Sequence, residues 1–142
     1  MGTERTDTGK WLLLTFFLVA GNAAAAEWVP VGERGPAEAY IEVSSIEKSG
    51  KYRVARLMTN LGKPYQIIGA PETSYASTTR LRFFDCAKGR SAITETSFYA
   101  DSMATGEIVE HYSTDLKSAV FSRHLPGSLL KKILDVVCSV PL

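Results

Sequence analysis

Two histidines, two cysteines and a scatter of closely spaced basic residues are the groups in this chain whose types and spacing could do chemistry. His124, Ser128 and Asp135 lie near enough in sequence to suggest a base, a nucleophile and an orienting carboxylate, the set that activates a serine for acyl transfer. A simpler account fits the same residues. Ser128 follows Pro126-Gly127 and precedes an apolar-periodic run, which is where a helix N-cap stands; Asp135 then falls on the solvated face of that helix and His124 in the loop before it. His111 sits in a strand-like segment, where a half-exposed imidazole is expected rather than a haem or metal ligand. Two separated histidines and no C-x-x-C pair do not complete a four-ligand set. Glu107 and Glu110, three apart on a strand, point to opposite faces and cannot act as a carboxylate pair. No glycine-rich segment has phosphate-binding spacing. The expectation is a chain with no catalytic residues, no metal and no cofactor.

The basic residues admit two readings. Arg80 and Arg82 share one face of a strand, and Lys51, Arg53 and Arg56 lie on a neighbouring one. Functionally they would form a shallow patch for anionic polymers such as glycosaminoglycan or for lipid headgroups, with Arg80, Arg82 and Arg53 as the ligand-binding candidates. The competing reading is a solvated sheet face with charge pairs. With 16 Lys+Arg against 15 Asp+Glu and a formal charge of +1, the chain lacks the basic excess of a nucleic-acid binder.

The N-terminal segment places these groups in a compartment. Arg5 and Lys10 precede the apolar run Trp11–Ala20, and Gly21-Asn22 and four alanines follow, the three-part layout of a secretory signal peptide. The run is shorter than the roughly 20 residues of a membrane span. Ala24 and Ala26 put small side chains where signal peptidase needs them, so cleavage is expected after Ala26, giving a mature chain of residues 27–142. No Cys at that junction is available for a lipid anchor. Cys86 and Cys138 both fall in the mature part, and an even cysteine count in an exported domain argues for one disulfide. Closing a loop of about 50 residues, it would contribute roughly 4 kcal/mol in the chain-entropy model.

The elements that must hold these groups read as short strands followed by one helix. Residues 27–31 and 39–43 are strand segments, the first on an edge because Pro30 lacks an N–H. Lys51–Leu61 alternates, with Tyr52, Val54 and Met58 on one face and Ala55 and Leu57 on the other. Residues 63–74, with two prolines, read as a surface loop. Tyr75–Cys86 and Arg90–Asp101 form a hairpin about the three-residue loop 87–89, which places Phe84 opposite Ala92 and Phe83 opposite Ile93. Met103-Ala104-Thr105-Gly106 is a turn before a sixth strand, Glu107–Tyr112. In Leu129–Cys138 the apolar residues fill one arc, with Cys138 at its edge beside Leu134. The fold class is α+β: an antiparallel sheet of about six strands with one C-terminal helix stapled by the disulfide. Phe83, Leu81 and Ile93 on the face away from the helix leave apolar surface to cover, which raises a homodimer or a curled sheet.

The order of segments also resembles a family. Glu27-Trp28-Val29 just after the signal peptide, Tyr40-Ile41-Glu42 with Ser45-Ile46, Phe84-Asp85-Cys86 followed by Arg90, Met103-Ala104-Thr105-Gly106-Glu107, and Leu125-Pro126-Gly127-Ser128 ending at Cys138 are similar to the surface-adhesin protein E-like family of exported bacterial proteins. The resemblance implies an antiparallel sheet with a helix and one disulfide. It also implies binding to host proteins, since the family includes an outer-membrane lipoprotein that binds vitronectin, laminin and plasminogen and has been linked to haem. Two departures stand out: this chain lacks the lipid-attachment Cys, and Phe121 stands in place of a Trp. No stretch matches the adhesin's ligand-binding segments, so no binding residue is carried over. The expected function is an exported, non-enzymatic binding module for a host matrix protein or a cell-envelope component, periplasmic or secreted, with no transmembrane segment in the mature chain. The alternative is a small periplasmic enzyme or haem-binding carrier.

Overall fold

The computed structural model describes residues 26–142. The expected signal peptide, residues 1–26, lies outside the described residues apart from Ala26. Seven strands and a helix follow in chain order: β1 (Trp28–Arg34), β2 (Ala37–Ser49), β3 (Tyr52–Ile67), β4 (Ala70–Asp85), β5 (Arg90–Tyr99), β6 (Ile108–Ser113), β7 (Ser122–Arg123) and α1 (Leu129–Ser139). β1 to β6 pair as an antiparallel meander in sequence order. The outer edge of β5 is shared, β6 taking Glu95–Tyr99 and β7 taking Arg90 and Ser91. This is the expected α+β architecture.

One core lies between α1 and the sheet, built from Val31, Ile41, Ile46, Ala55, Leu57 and Phe84 below and Ile133, Leu134 and Val137 above. Strand parity alone would send Ile41 and Ile46 to opposite faces. A register shift between Glu42 and Glu47 absorbs the odd residue, as a bulge does. Ser45 satisfies the freed backbone there: its hydroxyl donates to the Glu42 carbonyl at 2.6 Å and accepts from the Arg56 amide at 2.9 Å. A similar shift between Pro30 and Gly32 brings Val31 into the core, and β1 is the edge strand that Pro30 requires.

The helix is fastened at both ends. Ser128 caps it, accepting from the Lys131 amide at 3.1 Å. A Cβ on Gly32 would lie 2.6 Å from Leu129 Cδ1, so a larger residue there would oblige the Leu129 side chain to shift. At the C-terminus α1 has no basic residue in its own last turn. Arg53 of β3 supplies the charge: its Nη1 donates to the Val137 carbonyl at 2.9 Å and to that of Val140, satisfying helix-end carbonyls and opposing the negative end of the dipole. Cys138 is bridged to Cys86 with the Cα atoms 5.8 Å apart, so the expected disulfide joins the last helical turn to the β4–β5 turn.

Among the described residues no helix lies on the other face, yet Val54, Met58, Ala92 and Tyr99 are buried on it. Phe83 meets Tyr52 edge-on at 6.4 Å, and Phe121, from the segment before β7, stacks on Tyr52 at 5.1 Å.

Several expectations are corrected. Residues 63–74 are not a loop: β3 runs on to Ile67 and β4 begins at Ala70, leaving Ile68-Gly69 as the turn. Pro64 and Pro71 are accommodated because both fall where pairing lapses, between Asn60 and Tyr65 and between Ala70 and Ser74. Beside its turn the β4–β5 hairpin is one residue out from the expected register, with Asp85 opposite Arg90, Phe84 opposite Ser91 and Phe83 opposite Ala92; beyond an irregularity between Leu81 and Arg82 the expected register returns, with Leu81 opposite Glu95. Its turn has four residues because Asp85 closes it, accepting from the Lys88 amide at 3.3 Å and from Arg90 Nε at 3.2 Å. Ile93 therefore pairs with Arg82 and shares the helix-side face, not that of Phe83. β6 starts at Ile108, so Glu107 lies outside it, and Ser122–Arg123 forms β7 within the segment expected to be loop before the helix.

The staple makes a quantitative prediction. Its half-cystines are 52 residues apart, so reduction, or paired Cys86→Ala and Cys138→Ala substitution, is expected to lower unfolding free energy by about 4 kcal/mol in the chain-entropy model, read from urea melts with and without reductant. A stability unchanged on reduction would contradict it.

Candidate functional site

The basic residues do not form one surface patch. Arg56 turns to the face away from the helix, pairing with Glu42 at 3.4 Å, approaching the Tyr99 hydroxyl at 3.2 Å and lying 5.2 Å from the Trp28 ring. Lys51 is in the β2–β3 turn, near the Tyr52 ring. Arg53 is consumed in capping α1. Arg80 and Arg82 remain, side by side on the helix-side face of β4 and continuous with Phe84.

These two are half-buried. Together with Leu57, Leu129, Leu130 and Ile133 they line a cavity of about 650 Å³ between the first turns of α1 and the sheet. Burial lowers the affinity of the Arg80 guanidinium for its proton. Burial, and then the charge of Arg80, push Arg82 down to about 10, so both stay cationic at neutral pH. The ion pairs among the described residues join Arg56 to Glu42, Arg90 to Asp85 and Lys131 to Asp135, and none engages Arg80 or Arg82. Arg82 Nη1 donates to Ser91 Oγ at 2.8 Å, whereas its buried Nε has no partner.

Ser91 passes the chain on, its Oγ lying 2.7 Å from His124 Nε2. Since that hydroxyl accepts from Arg82, its own hydrogen is free to be donated to Nε2 of a neutral imidazole. Protonation would set two cations on one hydroxyl. Burial first, then Arg82 and Lys131, hold His124 below its ordinary value. Ser91 and His124 have the spacing of a nucleophile and its base, but Ser91 is 1% exposed and its hydroxyl is already engaged by Arg82.

The other sequence-level candidates separate. Ser128 Oγ is engaged at the N-cap and with the Leu125 carbonyl at 2.7 Å, and Asp135 pairs with Lys131 on the exposed side of α1, so the triad does not assemble. His111 is exposed on β6, its Nδ1 2.8 Å from Ser97 Oγ. Among the described residues no three His, Cys, Asp or Glu side chains are grouped to hold a metal. The reading of His124 as a plain loop residue missed its burial; the only sequence signal was its nearness to the apolar helix.

A second surface feature lies beyond the helix. Tyr65, Tyr75, Phe98 and Tyr112 form a row across β3 to β6, with successive ring centroids 6.3, 4.8 and 5.9 Å apart. Tyr65 and Tyr112 are 40% and 56% exposed.

Comparison with known proteins adds what the geometry alone lacks. The family model described as surface-adhesin protein E matches residues 28–139. No curated protein matches the chain by sequence. Among solved structures, one of Haemophilus influenzae protein E superposes with a TM-score of 0.61 at 15% identity, covering 81% of this chain and 86% of that one. A second crystal form gives 0.58 at 17% identity, covering 82% and 97%. Protein E from non-typeable Haemophilus influenzae gives 0.61 at 15% identity, covering 83% and 79%. At these identities the structures show a shared fold.

The buried imidazole predicts a pH dependence. An unfolded histidine titrates near 6.5, and in the folded chain His124 binds its proton less readily. Between those two values the unfolded state holds more protons, so stability is complete above about pH 6.5 and falls as pH drops through the folded value, by at most about 1.4 kcal/mol per pH unit. Urea midpoints measured from pH 7.5 to 5 should show that fall, and His124→Asn should flatten it. An equal slope in the variant would assign it elsewhere.

Proposed function

The chain belongs to the surface-adhesin protein E family, and from that premise we propose that it is an exported, adhesin-like binding protein whose partners are host matrix proteins. The family match across residues 28–139 is the observation that carries this reading. It favours a binding role over the enzyme alternative, and the dispersal of His124, Ser128 and Asp135 agrees with it. The haem-carrier alternative gains nothing from the two imidazoles, one exposed on β6 and one bonded to Ser91.

Export rests on residues 1–26 acting as a signal peptide cleaved after Ala26, leaving residues 27–142 in the periplasm or the medium. Two observations support it: β1 begins only at Trp28, and no described helix is long and apolar enough to cross a membrane. N-terminal sequencing of the exported protein should read Glu27-Trp28-Val29, and an intact Met1 terminus would refute the assignment.

The contact surface we favour is the aromatic row Tyr65–Tyr75–Phe98–Tyr112, because exposed aromatic groups dominate the energetics of protein recognition. A second copy of the chain on the Phe83 face is left out: Ile93 faces the other way, and Tyr52 and Phe121 already lie over that end of the sheet. Surface plasmon resonance against immobilised laminin and vitronectin should show saturable binding, weakened at least tenfold by Tyr65→Ala with Tyr112→Ala. Absence of binding to both would overturn the functional reading, and unchanged affinity in the double variant would move the surface.

A further inference from the structure

We propose that the cavity between α1 and strands β2–β4 is a binding site for a free long-chain carboxylate, with the head group held by Arg80 and Arg82 and the tail along Leu57, Leu129, Leu130 and Ile133. The site is separate from the aromatic row and independent of any macromolecular partner.

Charge is the first argument. Arg80 and Arg82 are half-buried and line the same cavity, and among the described residues no carboxylate is paired to either. Removing a cation from water is unfavourable unless an opposite charge or full hydrogen bonding replaces the hydration. Here one neutral hydroxyl, Ser91 Oγ, does so for Arg82 Nη1, and the buried Nε goes without. A ligand carboxylate would supply the missing acceptors, since its two oxygens match the guanidinium fork. The N-terminal end of α1 borders the same cavity through Ser128 and Leu129 and carries no acidic residue in its first turn, so its dipole adds to the positive field. Glu33, Glu38 and Arg34 also line the cavity; all three are exposed, as is Leu130 at 36%, so the cavity opens to solvent on that side.

Shape and lining give the second argument. About 650 Å³ falls within the range of small-ligand pockets, which are apolar with a few convergent polar groups. Two cations at one wall and four branched aliphatic side chains around them select a ligand with one anionic end and one hydrocarbon end. A hydrophilic anion would waste the leucines, and a neutral lipid would leave the arginines unpaired.

The test is calorimetric titration of the purified protein with sodium laurate below its micellar concentration, beside 1-dodecanol, dodecyl phosphate and dodecyltrimethylammonium. Laurate should bind at one site, dodecanol at least tenfold more weakly and the cationic surfactant not at all. Arg80→Gln, which removes a charge that has no ion pair, should weaken laurate at least tenfold while the circular dichroism spectrum and the Cys86–Cys138 bridge persist. If that variant fails to fold, Leu130→Glu, which puts a negative charge in the cavity, should abolish laurate binding instead. Equal affinity for laurate and dodecanol, binding at many sites, tighter binding of dodecyl phosphate than of laurate, or unchanged laurate affinity in a folded variant would each overturn the proposal.

Discussion

One short helix must close one face of a much longer sheet, and most of the structure follows from how it is fastened. An 11-residue helix spans about 16 Å at its standard rise, whereas the 16 residues of β4 extend for about 50 Å at strand rise. The helix therefore covers only part of the face, and where it sits decides what is core, what is cavity and what is surface. Its C-terminal end is held by two unlike bonds at nearly one place: the Cys86–Cys138 bridge and the Arg53 guanidinium on the last carbonyls. Phe84, Ala55 and Ile46 lie in the core this clamp closes. Toward the N-terminal end contact is maintained against β1, where Gly32 admits Leu129, and the space over β4 opens around Arg80 and Arg82.

That geometry explains why arginines on one face of the sheet have different fates. Arg53 lies under the last helical turn and finds carbonyl oxygens aligned to receive it. Arg80 and Arg82, farther along the same face, lie where the helix begins, and a helix N-terminus offers donors rather than acceptors. Arg82 turns instead toward Ser91 and, through it, His124, so a cation at the sheet and an imidazole from the segment before the helix become linked through a single hydroxyl. Both must be read together: the charge on Arg82 is one reason His124 stays neutral.

The sequence was most informative where a local rule and the tertiary environment agree. Ser128 as N-cap, the apolar arc of α1, the two faces of β3 at Ala55/Leu57 and Val54/Met58, Pro30 on an edge and the Cys86–Cys138 pairing each follow from one physical requirement with no competitor. Misreadings arose where two requirements competed. Pro64 and Pro71 argue against strands, but lapses in the β3–β4 register let the hairpin pass them. Gly89 does adopt a left-handed conformation, with φ of 61°, yet the turn contains four residues because Asp85 closes it with Lys88 and Arg90, and that shifts the β5 partners of Arg82 to Asp85 by one until the irregularity between Leu81 and Arg82 restores the expected register. At the site, the shared face of Arg80 and Arg82 was legible from spacing. Their enclosure was not, since it depends on where a helix nearly fifty residues later begins.

The division of the sheet also bears on how one small domain could serve two kinds of ligand. Beyond the helix the strands carry Tyr65, Tyr75, Phe98 and Tyr112 with partial exposure, a surface suited to broad contact with another macromolecule. Beneath the start of the helix the lining is aliphatic with two cations, suited to a small anionic amphiphile. β4 runs through both regions, from Tyr75 in the row to Arg80 and Arg82 in the cavity, and the hydrogen bonds that pin the β5–β6 turn reach the same stretch: Ser77 Oγ donates to the Asp101 carbonyl at 2.6 Å and accepts from the Ala104 amide at 2.8 Å. Met103 and Ala104 hold left-handed conformations there, with φ of 57° and 55°, which non-glycine residues adopt only when surrounding bonds fix them. Asn60 Oδ1 accepts from the Met103 amide at 2.8 Å and supplies another of those bonds. The stretch between row and cavity is thereby tied to β3, β4 and the turn at once, so the two surfaces are set apart along one strand whose backbone and turn contacts are satisfied between them.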